Sequence, residues 1–190
     1  MKKERRICNC LLVFLGIVLI AATSCKKDDS IVLSVGDSYQ GGKIAHLLVN
    51  GNPGFDANVQ HGLIAALTDQ STGIIWWNGA SSLTGATATA YGTGNANTNT
   101  IVASQGAGNY AAKLCSDLVS GGYNDWYLPS KDELFILYTN RLLIGNFENS
   151  NYWCSSEVSA GTALLYSFSI NLQGSGGKGF LANVRAVRAF

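Results

Sequence analysis

From Ala163 to Leu172 the chain reads ALLYSFSINL, with Leu164, Tyr166, Phe168 and Ile170 apolar and Ser167, Ser169 and Asn171 polar. Alternation with a period of two predicts a strand with one buried face. NYWCSSE (151–157) predicts a second strand, and FLANVRAVRAF a third that closes the chain. Nearer the front, YQGGKIAHLLVNGNPG predicts a strand of about six residues running into a Gly/Asn/Pro turn. HGLIAAL and GIIWWNG are short apolar runs bounded by turn residues. Both fit buried strands, although runs of this length are also compatible with helix. QGSGGKG reads as a hairpin turn.

Two stretches carry the helical period. Tyr110, Leu114 and Leu118 recur at i, i+4 and i+8, with Ala111, Cys115 and Val119 beside them. They form one broad apolar face, with Asn109 as cap and Ser120–Gly122 as stop. The second helix starts inside DWYLPSKDELFILY (125–138), where Ser130 is the N-cap and Glu133 stands at capping-box spacing. Asp132 and Glu133 complement the helix dipole, and Leu134, Leu137, Tyr138 and Leu142 form its stripe. Residues 79–106, rich in Gly, Ala, Thr and Asn and without charge, predict an ordered polar loop on the surface. In a regular strand Arg185 and Arg188 face opposite sides, so at least one points inward and needs a carboxylate. Asp125, Glu133 and Glu157 are the candidates.

The first residues change the picture of the whole. Lys2, Lys3, Arg5 and Arg6 precede the apolar run LLVFLGIVLIAA, the pattern of a secretory signal over residues 1–24. The run is shorter than a membrane-spanning helix usually needs. Ala22, Thr23, Ser24 and Cys25 resemble a bacterial lipobox, which implies cleavage before Cys25 and lipidation of its thiol. The lipid then holds the protein to the membrane, residues 25–34 act as a tether, and 35–190 form the domain. The following KKDD resembles signals that send some Gram-negative lipoproteins to the outer surface. The expected location is therefore the cell envelope, at the outer membrane. The full chain has 13 basic and 12 acidic residues, and losing Lys2, Lys3, Arg5, Arg6 and Glu4 leaves a net charge of −2. Such a balance gives no electrostatic case for nucleic acid. Cys8 and Cys10 leave with the signal. Cys115 and Cys154 remain in an oxidising compartment, either as a disulfide or as two separate buried thiols.

Chemistry is sparse. His46, His61 and the two thiols lack the spacing of a zinc site. No Gly-x-Ser-x-Gly elbow, Walker loop or EF-hand loop occurs. The reading is a protein without a catalytic centre, a metal or a cofactor. Aromatic and amide side chains are the better lead. Trp76 and Trp77 are adjacent, so a strand turns them to opposite faces. Tyr91 stands among Asn95, Asn97 and Asn99. An aromatic face with amides nearby suits a sugar or a peptide, whereas the alternative gives both tryptophans to the core.

GYNDWYLPSKDEL, NYWCSSE and VRAVRAF together resemble the Lcl C-terminal domain family, found in bacterial lipoproteins and adhesive surface proteins. YQGGKIA, HGLIAALTDQSTGIIW, GATATAYGTGNANTNTIVASQG and NYAAKLCSDL extend the resemblance over Val35–Phe190. It implies an α+β, C-type lectin-like fold: two helices packed on a twisted mixed β-sheet, with N- and C-terminal strands adjacent. It also implies kinship with the formylglycine-generating enzyme, whose close catalytic cysteine pair has no counterpart here, since no cysteine follows Cys154. The Glu-Pro-Asn calcium motif of lectins is absent as well. The expected function is a lipid-anchored envelope protein whose domain binds an extracellular glycan or protein. The alternatives are an enzyme on the same scaffold, with Asp125, Glu133 and an arginine as a polar centre, or a structural surface module.

Overall fold

A computed structural model describes residues 32–190; the expected signal segment, residues 1–24, and Cys25 lie outside the described residues. Two short strands, β1 (Ser38–Tyr39) and β2 (Gly42–Leu47), form a hairpin, and β3 (Gly62–Ala66) lies against β2. Glycine is obligatory at both ends of the β2–β3 pair. A Cβ on Gly42 would stand 2.2 Å from the Ala65 carbonyl oxygen, and one on Gly62 2.0 Å from that of His46. Side chains there would push the strands apart. After β4 (Ser71–Ile74) come the helices α1 (Gly94–Gln105), α2 (Ala111–Ser116), α3 (Lys131–Thr139) and α4 (Arg141–Ile144). Strands β5 (Asn151–Glu157), β6 (Thr162–Ser167), β7 (Leu172–Gly177), β8 (Ala182–Val184) and β9 (Val187–Ala189) complete the domain.

The fold is α+β with two sheets. One is antiparallel in the order β1-β2-β3-β9, and the other is mixed in the order β4-β8-β5-β6-β7, with β5 and β8 parallel. The chain end thus returns to the sheet that holds the first strands, but it pairs with β3 and not with β1 or β2. Phe190 nevertheless reaches Tyr39, ring to ring at 5.2 Å.

Two apolar clusters form the core. Trp76, Trp126, Trp153, Ile44, Ile64 and Ile101 belong to the first, while Leu63, Leu134, Leu137, Tyr152, Phe168 and Val187 belong to the second. Tyr166 and Phe168 are buried, as the period-two pattern requires, and Phe168 lies 4.4 Å from Tyr152. Ile170 departs from that pattern and is 68% exposed, because β6 ends at Ser167 and the chain turns through Asn171 at φ 55°.

Four expectations need correction. The polar segment 79–106 contains a twelve-residue helix, α1. Its inward face is mostly polar: Asn97, Thr98 and Gln105 are buried beside a single large apolar residue, Ile101, and Thr98 Oγ1 accepts from the Leu128 N–H at 3.0 Å. A helix buried through hydrogen bonds leaves no apolar stripe to read. The helix expected from Asn109 is only Ala111–Ser116, with Tyr110 at its N-cap and no side-chain cap bond. QGSGGKG is mostly strand: β7 pairs residue for residue with β6 from Leu172 to Gly177. Leu142, assigned to the stripe of the second helix, sits on α4 and is 87% exposed.

Candidate functional site

The carboxylates of DWYLPSKDELFILY are engaged in structure. Ser130 Oγ accepts from the Glu133 N–H at 3.3 Å, and Glu133 Oε2 accepts from the Ser130 N–H at 2.7 Å. This reciprocal pair is a capping box. Glu133 Oε1 also accepts from the Gly92 N–H at 3.0 Å and the Tyr127 hydroxyl at 3.2 Å, tying the segment before α1 to α3. Burial pushes the Glu133 carboxyl above its ordinary range, against the pull of these hydrogen bonds. Asp125 holds Arg188 through two bonds, at 2.6 and 2.8 Å, and the guanidinium stacks 3.9 Å above the Tyr123 ring. That pairing keeps the Asp125 carboxyl below the usual carboxylate range. Asp125 and Glu133 therefore serve separate partners and do not form one polar centre.

Arg185 is fully buried and finds a carboxylate outside the candidate set. Its Nε donates to Asp69 at 2.6 Å, its Nη1 to the carbonyls of Ala66 and Gly145, and its Nη2 to that of Asn146. Asp69 accepts further bonds from the Tyr152 hydroxyl at 2.6 Å and from Asn183 at 3.2 Å. Glu157 meets Lys178 instead, at 2.5 Å, with both side chains fully buried.

The aromatic and amide candidates do not converge. Trp76 is fully buried, and its Nε1 donates to the Cys154 carbonyl at 2.8 Å. Trp77 is half-buried beside Gly179. Asn97 is spent on the Ala88 carbonyl and Ser155, while exposed Asn99 donates to exposed Asn95 at 2.9 Å. Tyr91 lies edge-on to His46 at 5.3 Å, and burial, with the Glu133 charge, pushes its hydroxyl to about 12. Cys115 and Cys154 are free, buried thiols in different core clusters. Burial pushes both upward, Cys154 to about 12, which leaves them unreactive near neutral pH.

A different region is concave. The segment Phe147–Asn149 is a ridge between two clefts. One, of about 220 Å³, is walled by Arg141, Leu142, Asn146 and Phe168, and the other, of about 420 Å³, by Thr72, Ser150 and Asn183. The ridge is held from beneath. Arg185 binds the carbonyls of Gly145 and Asn146, its guanidinium lies 4.0 Å from the Phe147 ring centre, and the Glu148 N–H donates to Tyr152. Glu148 and Asn149 are exposed above this support. The clefts offer one carboxylate, one guanidinium, three amides, two hydroxyls and aromatic walls. Such groups bind polar ligands by hydrogen bonding and stacking. Sequence reasoning missed this site because Asp69 is separated from Arg185 by 116 positions and only the folded sheets bring them together. The legible signal was FENSN (147–151), an aromatic and a carboxylate followed by three polar residues.

Among the described residues no group of three or more His, Cys, Asp or Glu is placed to hold a metal ion. No helix among them is long and apolar enough to cross a membrane.

No curated protein matches the chain. Among solved structures, a fimbrial protein from Bacteroides ovatus ATCC 8483 is similar, with 16% identity and a TM-score of 0.48. The similarity covers 68% of this chain and 36% of that one, so the chain spans little more than a third of that protein's length. The Lcl C-terminal domain model matches residues 65–188, from β3 to β9 and across the capping-box motif, the Arg185 network and the ridge. The chain belongs to the Lcl C-terminal domain family.

Proposed function

We propose that the protein is a lipid-anchored component of the cell envelope, at the outer membrane. Its C-type lectin-like domain binds an extracellular glycan or protein in the paired clefts beside Phe147–Asn149. The observation that carries this reading is the ridge itself. A fully buried arginine with four separate acceptors holds a short exposed segment rigid, and that segment presents Glu148 and Asn149 between two clefts. A rigid scaffold under an exposed polar loop is how binding residues are commonly presented. The chemistry is recognition without turnover: Glu148 is the one carboxylate lining the two clefts. Hydroxyl groups of a sugar match a carboxylate and amides, and the apolar face of a sugar ring matches Phe147.

The test is a glycan and peptide array probed with the chain from residue 26 onward. Binding is expected, with Glu148→Ala and Asn149→Ala each weakening it about tenfold, the loss of roughly one good hydrogen bond to a charged or polar group. Both side chains are exposed, so the melting temperature stays unchanged. Binding that persists in both variants would remove the clefts as the site.

A further inference from the structure

The two sheets have four edges, and three of them are closed or poor. Strand β1 has two residues. Strand β9 exchanges both backbone bonds of Val187 with Tyr127, at 2.8 and 3.0 Å, on its outer side. Strand β4 is broken by a register shift between Ser71 and Ile74. Strand β7 is different. It runs for six residues in unbroken register with β6, and among the described residues no strand or helix pairs with its other side. It also lacks three usual safeguards of an edge: it holds no proline, no bulge and no charge. The absence of charge extends through the whole hairpin, from Val158 to Gly177.

We propose that β7 is a self-association edge, on which a second copy of this chain pairs antiparallel about a twofold axis. The occupant follows from the chemistry of the strip. An uncharged strand meets its own copy without repulsion, which a lysine or glutamate edge does not permit. A twofold through Ser175 sets Ser175 opposite its own copy and Gln173 opposite Gly177, and beyond the strand ends it carries Ile170 towards Phe180. Leu172 and Ile170 are 57% and 68% exposed at one end of the strand, while Phe180 and Leu181 are 65% and 70% exposed at the other. Antiparallel pairing brings the apolar group at one end of each copy to the apolar group at the other end of its partner, twice. This is the self-complementarity that an isologous interface needs. The packing leaves room for it: a Cβ on Gly174 would meet only Leu165, at 3.8 Å, so nothing within the subunit demands glycine there. The product is a continuous sheet of ten strands carrying two sets of clefts, a bivalent arrangement that raises avidity for a repeating ligand. Pairing at β7 does not depend on what the clefts bind.

Sedimentation of the chain from residue 26 onward, over the accessible concentration range, tests it. A monomer–dimer equilibrium is expected. Ser175→Lys sets two lysines face to face at the axis and Gly174→Lys sets two diagonally across it, and each should weaken dimerisation at least about tenfold, with unchanged melting. Should either variant melt early, a third one decides: Gln173→Cys combined with Gly177→Cys should give interchain disulfides between the paired strands under mild oxidation. A chain that stays monomeric throughout overturns the proposal. So does a dimer that both lysine variants leave intact, or one that the cysteine pair fails to cross-link.

Discussion

At the scale of single residues, the domain relies on buried charges that are each fully occupied. Lys178 donates to Glu157 at 2.5 Å and to the Ser82 carbonyl at 3.1 Å, with its ammonium 4.6 Å from the Trp76 ring centre. Glu157 in turn accepts from the backbone N–H groups of Thr84 and Gly85. The pair fastens the polar segment before α1 to the end of β5. Removing one partner strands the other, at a cost of about 3–5 kcal/mol. Glu157→Ala should show that loss in urea unfolding, and Glu157→Gln combined with Lys178→Met should recover most of it. Acid should act in the same direction. Burial raises the Glu157 carboxyl, but Lys178 and the two N–H donors outweigh it, so its folded pKa is lowered, as Arg188 lowers that of Asp125. Groups with depressed pKa stabilise above their unfolded values, about 4, and lose that contribution as pH falls through their folded values. Glu133 has the opposite sign: its raised pKa contributes stability at low pH that is lost as pH rises through the folded value. A melting temperature that falls below about pH 4 in the parent, and falls less in the double variant, is the expected result.

At the scale of elements, α1 and α3 show two ways to make a helix belong to a fold. The α3 signal is local: the serine and the glutamate that satisfy each other's backbone donors lie three residues apart, and Leu134 and Leu137 follow in period. Ser130 is fully buried, and its hydroxyl also donates to the Ala90 carbonyl at 2.9 Å. Ser130→Ala should therefore cost about 1–2 kcal/mol, the upper part of the range for a lost cap. Ligand binding at the clefts should be unchanged once the domain is folded, and a stable variant that loses binding would return the motif to the site. The α1 signal is not local. Asn97 reaches Ala88 and Ser155, and Thr98 reaches Leu128, so the groups that justify the helix arrive from other parts of the chain. Its sequence, uncharged and poor in large apolar residues, is that of a loop until those partners are present.

At the scale of the whole molecule, the proposed lipidation site, Cys25, precedes the compact unit in sequence. Residues 32–190 form a compact unit with both core clusters inside it. Cys25→Ala should therefore release the protein from the membrane fraction while leaving its melting temperature unchanged; a variant that still fractionates with membranes would sink the lipoprotein reading.

Strand content was readable from short apolar and aromatic runs: NYWCSSE is β5, buried on both faces from Tyr152 to Glu157, and ALLYS lies within β6. The capping box was readable because helix starts are decided within four residues. The sequence alone thus determined the α+β class, the start of α3 and the family. These are local patterns or combinations of motifs. Tertiary structure alone decided which charges pair, where α1 lies, that Trp76 is core, and that the C-terminal strand joins β3. It also built the ridge from Arg185, Asp69 and Tyr152, and left β7 at an open edge. Each of those depends on residues far apart in the chain meeting, and a pattern read along one dimension does not contain that distance.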